Sequence, residues 1–192
     1  MSDKDDKCNM DRLREGDDLA LNDLMSRWKE PLVTYCLRYT GNFTDAKEIA
    51  QETFVKVYQS RHRYHASEAA FSTWLFQIAT NLCRMRHRWK KRHPELLEAD
   101  REFEGMSPDG VAGNEPSPAS QANSSQLADD LEMAIRKLPP KLRIPFLLYE
   151  LHGMSYREVA KIEGTTGKAV ERRLARAREV LRNLLEPMWR ND

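Results

Sequence analysis

Apolar residues recur along the chain at helical spacing. Leu21, Leu24, Met25, Trp28, Leu32, Tyr35, Cys36 and Tyr39 fall three or four positions apart. They predict one buried helix face, with Pro31 the position expected to bend or break it. Gly41 and Asn42 end the run, and Asp45 with Glu48 three residues on reads as a capping box that opens a second helix. Ala46, Ile49, Ala50, Phe54 and Val57 form its inside. At about 100° per residue its outside carries Asp45, Glu48, Glu52, Val55 and Gln59. A loop rich in Arg, His and Tyr, Arg61 to Ser67, leads to a third helix with Phe71, Trp74, Leu75, Ile78, Ala79 and Leu82 on one face. From Pro94 to Gln126 the periodicity vanishes, and MSPDGVAGNEPSPASQANSSQ has the composition of a flexible linker. Helical spacing resumes at Leu127, Leu131, Ile135 and Leu138, stops at Pro139 and Pro140, and restarts through Phe146, Leu147 and Leu151 before Gly153. The fold class expected is therefore all-α. Two small helical domains, 10–93 and 127–190, are joined by a linker over 94–126.

The last two helices carry a recognisable motif. Ser155 and Glu158 form a capping box, and the helix they open holds Val159, Ala160 and Ile162 before stopping at Gly164. Ala160, Gly164 and Val170 have the spacing of a helix-turn-helix: a small residue where the helices cross, Gly in the turn, and a β-branched residue locking the second helix. Val170, Leu174, Ala177 and Leu181 fall on its inner side. Lys168, Arg172, Ala175, Arg176 and Glu179 point away, where a second helix of this kind meets a major groove. Arg can pair with guanine edges or grip phosphate, and Ala allows close approach or contact with a thymine methyl.

Charge sharpens this picture once it is split along the chain. The net charge of +1 over 192 residues hides three blocks. Arg84, Arg86, Arg88, Lys90, Lys91 and Arg92 form a cationic stripe at the end of the third helix. More cations than a helix dipole can use imply phosphates as the counter-charge. Residues 95–132 are acidic, with Arg101 the single cation, and Lys168 to Arg182 is cationic again. Phe71 and Trp74 read as core aromatics, whereas Tyr64 and His65 in the loop are freer to meet a base. The acidic outside of the second helix suits either a protein partner or plain solvation. No run of 18 apolar residues occurs and the N-terminus, MSDKDDKCNM, is polar, so a cytoplasmic protein without membrane insertion is expected. Cys8, Cys36 and Cys83 include no Cys-x-x-Cys pair, which argues for reduced thiols and against a structural zinc site.

Three stretches in order resemble the extracytoplasmic-function group of the sigma-70 family: DAKEIAQETFVKVY (Asp45 to Tyr58), FSTWLFQIATN (Phe71 to Asn81), and LPPKLRIPFLLYELHGMSYREVAKIEG continuing to RRLARAREVLR (Leu138 to Arg182). The resemblance implies a non-catalytic subunit with no cofactor and no metal. It would bind core RNA polymerase through the β′ clamp coiled coil and the β subunit, read promoter DNA, and start its melting. It assigns Asp45, Glu48, Gln51 and Glu52 to the polymerase, with Phe54 as core support. Tyr64, His65, Asn81, Arg84 and Arg88 are assigned to the minus 10 element, and Lys168, Arg172, Ala175 and Arg176 to the minus 35 element. The acidic linker is assigned to the polymerase cleft and RNA exit channel, and an anti-sigma factor is implied as a regulator. A flipped base gains stacking and edge hydrogen bonds that offset a few kcal/mol of unstacking, so opening needs no ATP.

The chain departs from the family pattern at named places. Lys168, Ala169, Val170 and Glu171 stand where Gly-Thr-Val-Lys is common, Met85 where Asp is frequent, and Glu163 where an apolar residue is usual. Two other readings share parts of the pattern. A stand-alone helix-turn-helix regulator needs the C-terminal domain but neither the acidic helix nor the linker. A metal site would use His62, His65, Cys83 and His87, the last two sharing a helix face at i,i+4.

Overall fold

The computed structural model describes residues 3–93 and 129–189. Eight α-helices are seen there: α1 (Asp3–Arg14), α2 (Leu19–Thr40), α3 (Phe43–Gln59), α4 (Phe71–Arg92), α5 (129–137), α6 (Pro140–Phe146), α7 (Tyr156–Glu163) and α8 (Gly167–Trp189). Short 3-10 and π-helical turns occupy Arg61–Arg63 and Leu147–Leu151. The acidic segment 94–126 lies outside the described residues. No described helix is long and apolar enough to cross a membrane.

Helices α1 to α4 build the first body. Leu24, Leu32, Tyr35, Ala46, Ile49, Phe71, Leu75 and Phe76 are buried, which accounts for the helical spacing of the sequence. Aromatic rings fill its centre: Phe76 meets Tyr35 edge-on at 5.2 Å and Trp28 at 6.1 Å between ring centroids. The Tyr35 hydroxyl shares a 2.7 Å hydrogen bond with Thr80 Oγ1, satisfying two buried polar groups at once. Cys36 and Cys83 are buried free thiols with their sulfurs 3.9 Å apart. That contact and burial push the Cys83 thiol well above its ordinary pKa.

Three local features differ from the sequence expectation. Helix α2 runs unbroken through Pro31, because Leu24 before it and Leu32, Tyr35 and Cys36 after it are all held in the core. The α2–α3 corner has its own chemistry. Gly41 (φ +74°) takes the left-handed conformation, and its N–H donates to the Leu37 carbonyl at 2.8 Å. Asn42 then caps α3 by accepting from the Asp45 backbone N–H at 2.8 Å, so Asn42 replaces the expected Asp45–Glu48 box. Helix α1 carries no strong apolar signal, yet it buries Met10 and Leu13. It also sets Asp6 against the Arg27 guanidinium at 2.9 Å and the Trp28 indole N–H at 3.2 Å.

The second body is α5 to α8. Leu131, read from sequence as inward, is exposed, while Ala134, Ile135 and Leu138 are buried. Pro145 removes one helical donor, and the chain passes directly into the wider turn at Leu147–Leu151. Ser155 caps α7 in the expected reciprocal box with Glu158, and Gly164 (φ +65°) ends it. Ala160, Val170, Leu174, Ala177 and Leu181 are buried together, which is the packing a helix-turn-helix requires. The two bodies touch, chiefly through α4 against α7.

Candidate nucleic-acid interface

Helix α8 sorts its cations by partner. Arg173 donates to Glu163 at 2.5 Å, and Arg178 grips Glu150 through Nε at 2.9 Å and Nη2 at 2.6 Å. Lys168, Arg172, Ala175 and Arg176 are exposed on the side opposite Val170 and Leu174. Among the described residues Arg176 pairs only with Glu179, at 3.0 Å, and both partners are exposed. An exposed pair of this kind contributes little and is easily exchanged for a phosphate or a base edge. The four residues selected from sequence thus share one outer surface.

Helix α4 sorts its stripe in the same way. Arg86 bonds Asp45 at 3.0 Å and Glu48 at 2.6 Å, and Lys90 approaches Asp45 at 2.6 Å. Arg84 donates to Glu163 at 2.9 Å. Arg88 remains exposed, as are Lys91 and Arg92. Exposed Met85 and Trp89 lie on the same side of α4 as Arg88 and Arg92, at i, i+3, i+4 and i+7. Trp89 stacks on His93 with centroids 4.8 Å apart. Apolar surface beside exposed cations is the chemistry that suits stacked bases and their phosphates.

In the loop before α4 the two candidates part. Tyr64 is buried, packed on Trp74 at 5.2 Å and Phe71 at 6.0 Å between centroids. It anchors the loop instead of standing free for a base, because its ring completes the aromatic cluster at the start of α4. His65 beside it is exposed, and so is Asn81 on α4. Cys83 turns into the core toward Cys36, while His87 is exposed and faces Tyr39, so this i,i+4 pair does not converge. Among the described residues no three His, Cys, Asp or Glu side chains are placed to hold a metal.

The acidic surface of α3 needs one correction. Glu48, Gln51, Glu52, Val55 and Gln59 are exposed along one side, with Val55 52% exposed. Asp45 is not part of that free surface. It lies at the edge of the buried side, and the α4 cations draw it in until 6% of it is exposed. Lys56 partly neutralises Glu52 at 3.5 Å across one turn.

Sequence reasoning singled out Glu163 only as a departure from pattern and did not register Thr73, Lys161 or His152. The Glu163 carboxylate is 1% exposed and lies between Arg84 and Arg173. Thr73 Oγ1 donates to Glu158 at 3.2 Å, and Lys161 Nζ to the Glu68 carbonyl at 2.6 Å. The His152 ring packs on Phe76 at 4.5 Å and Tyr35 at 5.8 Å. Burial, then the nearby Arg38 charge, lowers its pKa from 6.5 to about 4. A carboxylate between two guanidiniums has no periodicity, so only the departure from an apolar residue marks it in the sequence.

Residues 24–93 match the family model for Sigma-70 region 2, and residues 128–181 match that for Sigma-70, region 4. The ECF RNA polymerase sigma-E factor of Escherichia coli (strain K12) is 30% identical over 186 residues, covering 96% of this chain and 96% of that protein. Its counterpart in Haemophilus influenzae is 30% identical over 186 residues, covering 95% and 96%. The fold is also that of CnrH, solved with the cytosolic domain of CnrY (24% identity, TM-score 0.67, 95% of this chain and 98% of that one). The sigma factor RpoE, solved with the anti-sigma factor NepR from Bartonella quintana, is similar as well (22% identity, TM-score 0.63, 86% and 96%). With both region models placed in order and nearly the whole length shared with the sigma-E factors, the chain belongs to the extracytoplasmic-function group of the sigma-70 family.

Proposed function

We propose that this chain is a promoter-specificity subunit that boards core RNA polymerase through α3 and reads DNA with α4 and α8. The observation that carries this reading is the division of labour among the cations of α8: Arg173 and Arg178 are tied to carboxylates of other elements, while Lys168, Arg172 and Arg176, the last paired with its own exposed helix neighbour Glu179, lie together on the exposed side with Ala175. Those four residues are assigned to the minus 35 element. Exposed His65, Asn81 and Arg88, with Arg84 when it is released, are assigned to the minus 10 element. Glu48, Gln51 and Glu52 are assigned to the β′ clamp, with Asp45 as an internal brace and not a contact. The β subunit is the second docking partner. Residues 10–93 and 127–190 are proposed as the two working domains, and the acidic segment 94–126 is assigned to the polymerase cleft and RNA exit channel.

The protein catalyses no reaction, needs no cofactor and works in the cytoplasm with the polymerase. An anti-sigma factor, the kind of partner with which the Bartonella RpoE was solved, is its expected regulator. A stand-alone helix-turn-helix regulator is not favoured, because the sigma-E relatives align over 186 residues, a span no single motif accounts for. Purified chain mixed with core polymerase and a genomic promoter library should yield transcripts from defined start sites. A chain that binds duplex DNA alone and leaves the core enzyme unbound overturns the reading.

A further inference from the structure

We infer that Glu163 is an intramolecular latch that closes the helix-turn-helix over α4, so that the chain cannot read both promoter elements until that carboxylate lets go of Arg84. This rests on the assignments just proposed.

The geometry is specific. Glu163 ends α7, immediately before the left-handed Gly164 of the turn. Its two oxygens are divided between helices: Oε1 accepts from Arg84 of α4 at 2.9 Å, and Oε2 from Arg173 of α8 at 2.5 Å. The carboxylate is buried while each guanidinium is about one-third exposed, so the anion depends on both cations for the hydrogen bonds that replace water. Around it the same two bodies are joined by Thr73 to Glu158 and by Lys161 to the Glu68 carbonyl. His152 is wedged on Phe76 at a second point of contact. Arg84 is a minus 10 candidate, and Arg173 adjoins the minus 35 candidate Arg172 in the chain. One carboxylate therefore ties the two reading surfaces together.

Promoter geometry makes the two states exclusive. Elements numbered minus 35 and minus 10 lie roughly 25 base pairs apart, about 85 Å along a duplex rising 3.4 Å per step. Helices joined by a single side chain cannot occupy both. The latch also withholds Arg84 from phosphate. Promoter engagement and latch closure thus compete for the same guanidinium, and each weakens the other by the same factor. The occupant of this α4 surface is the chain's own second domain. In the absence of polymerase it lowers stray binding to DNA.

The test uses the full chain. Glu163→Leu restores the apolar residue common at this turn and leaves every proposed polymerase and DNA contact in place. Small-angle X-ray scattering should show a larger radius of gyration for the variant than for the wild type. A promoter recovered by the reconstitution assay, presented as a minus 10 fragment with its nontemplate strand unpaired, should bind the free variant roughly tenfold more tightly. In the assembled holoenzyme, where the domains are already apart, the same substitution should leave promoter affinity unchanged. Unchanged scattering and unchanged affinity of the free chain overturn the latch. A loss of minus 35 affinity in the holoenzyme also overturns it, since Glu163 would then be a brace for Arg173. If far-ultraviolet circular dichroism shows Glu163→Leu unfolded, Thr73→Val takes its place and should produce a smaller shift in the same direction. No shift there sinks the proposal. Wild-type holoenzyme that makes no specific transcript marks failure of the parent reading instead.

Discussion

Asp45 and Glu52 stand two turns apart on α3, yet one is buried and the other faces water. Periodicity located the outer side correctly for Glu48, Glu52, Val55 and Gln59, because helical geometry alone fixes those directions. It failed at Asp45, a boundary position whose direction is decided by Arg86 and Lys90 of a helix about forty residues away. Tyr64 failed for the same reason, since a loop residue has no period and only the aromatic cluster draws its ring inward. The difference gives two predictions. Replacing Glu52 with Lys should lower affinity for core polymerase roughly tenfold by like-charge repulsion and leave the fold intact, as read by analytical gel filtration and thermal melting. Arg172→Ala and Arg176→Ala should each cost about 1–3 kcal/mol of discrimination at the minus 35 element, or only flatten the salt dependence if they grip phosphate. Core affinity should not move in either variant, and a loss there would place α8 against the polymerase instead.

Helix boundaries were legible wherever the signal is a side chain acting on its own neighbours. The Ser155–Glu158 box and the Gly164 stop are of this kind, and both are present as expected. Helix α2 was harder to read, because Pro31 is a local signal overruled by the packing on either side of it. Helix α1 was missed because its burial depends on a few residues, Asp6, Met10 and Leu13, against a strongly polar background. At the helix-turn-helix, Gly164→Ala places a Cβ in the left-handed region at φ +65°. No atom lies within 4 Å of that Cβ, so backbone strain alone sets a cost of roughly 1–2 kcal/mol. Urea unfolding should register that loss with little change in slope. A loss several times larger would mean that the turn touches something the structure does not bring near it.

Two bodies could be read from the sequence, but their contact could not, since it is made largely by polar groups scattered over α2, α4, α5, α6 and α7. Arg38 to Glu132 and Arg143 to the Tyr39 carbonyl are examples, at 2.5 Å and 2.7 Å. His152 supplies a pH readout of that contact. Tyr35 and Arg38 face it from α2 and Phe76 from α4, and it stays neutral there because its pKa is lowered to about 4. A chain with this ring released takes up a proton below about pH 6.5, so the packed form loses stability as pH falls from there toward 4. The full effect is about 3 kcal/mol, present above pH 6.5 and spent by pH 4. Denaturant midpoints measured between pH 7 and 4.5 should fall less steeply in His152→Leu than in the wild type, and equal slopes would remove His152 from this role.

The corner between α2 and α3 restricts how a gene for such a protein can change. Gly41 finishes one helix and Asn42 starts the next, with no residue between them to spare. Each extra codon there would rotate α3 by about a quarter turn, carrying Glu52 to the buried site of Thr53 and Phe54 to the exposed site of Val55. Point substitutions beside Gly41 and Asn42 can be absorbed, whereas insertions and deletions should be absent from any copy that still reaches its enzyme.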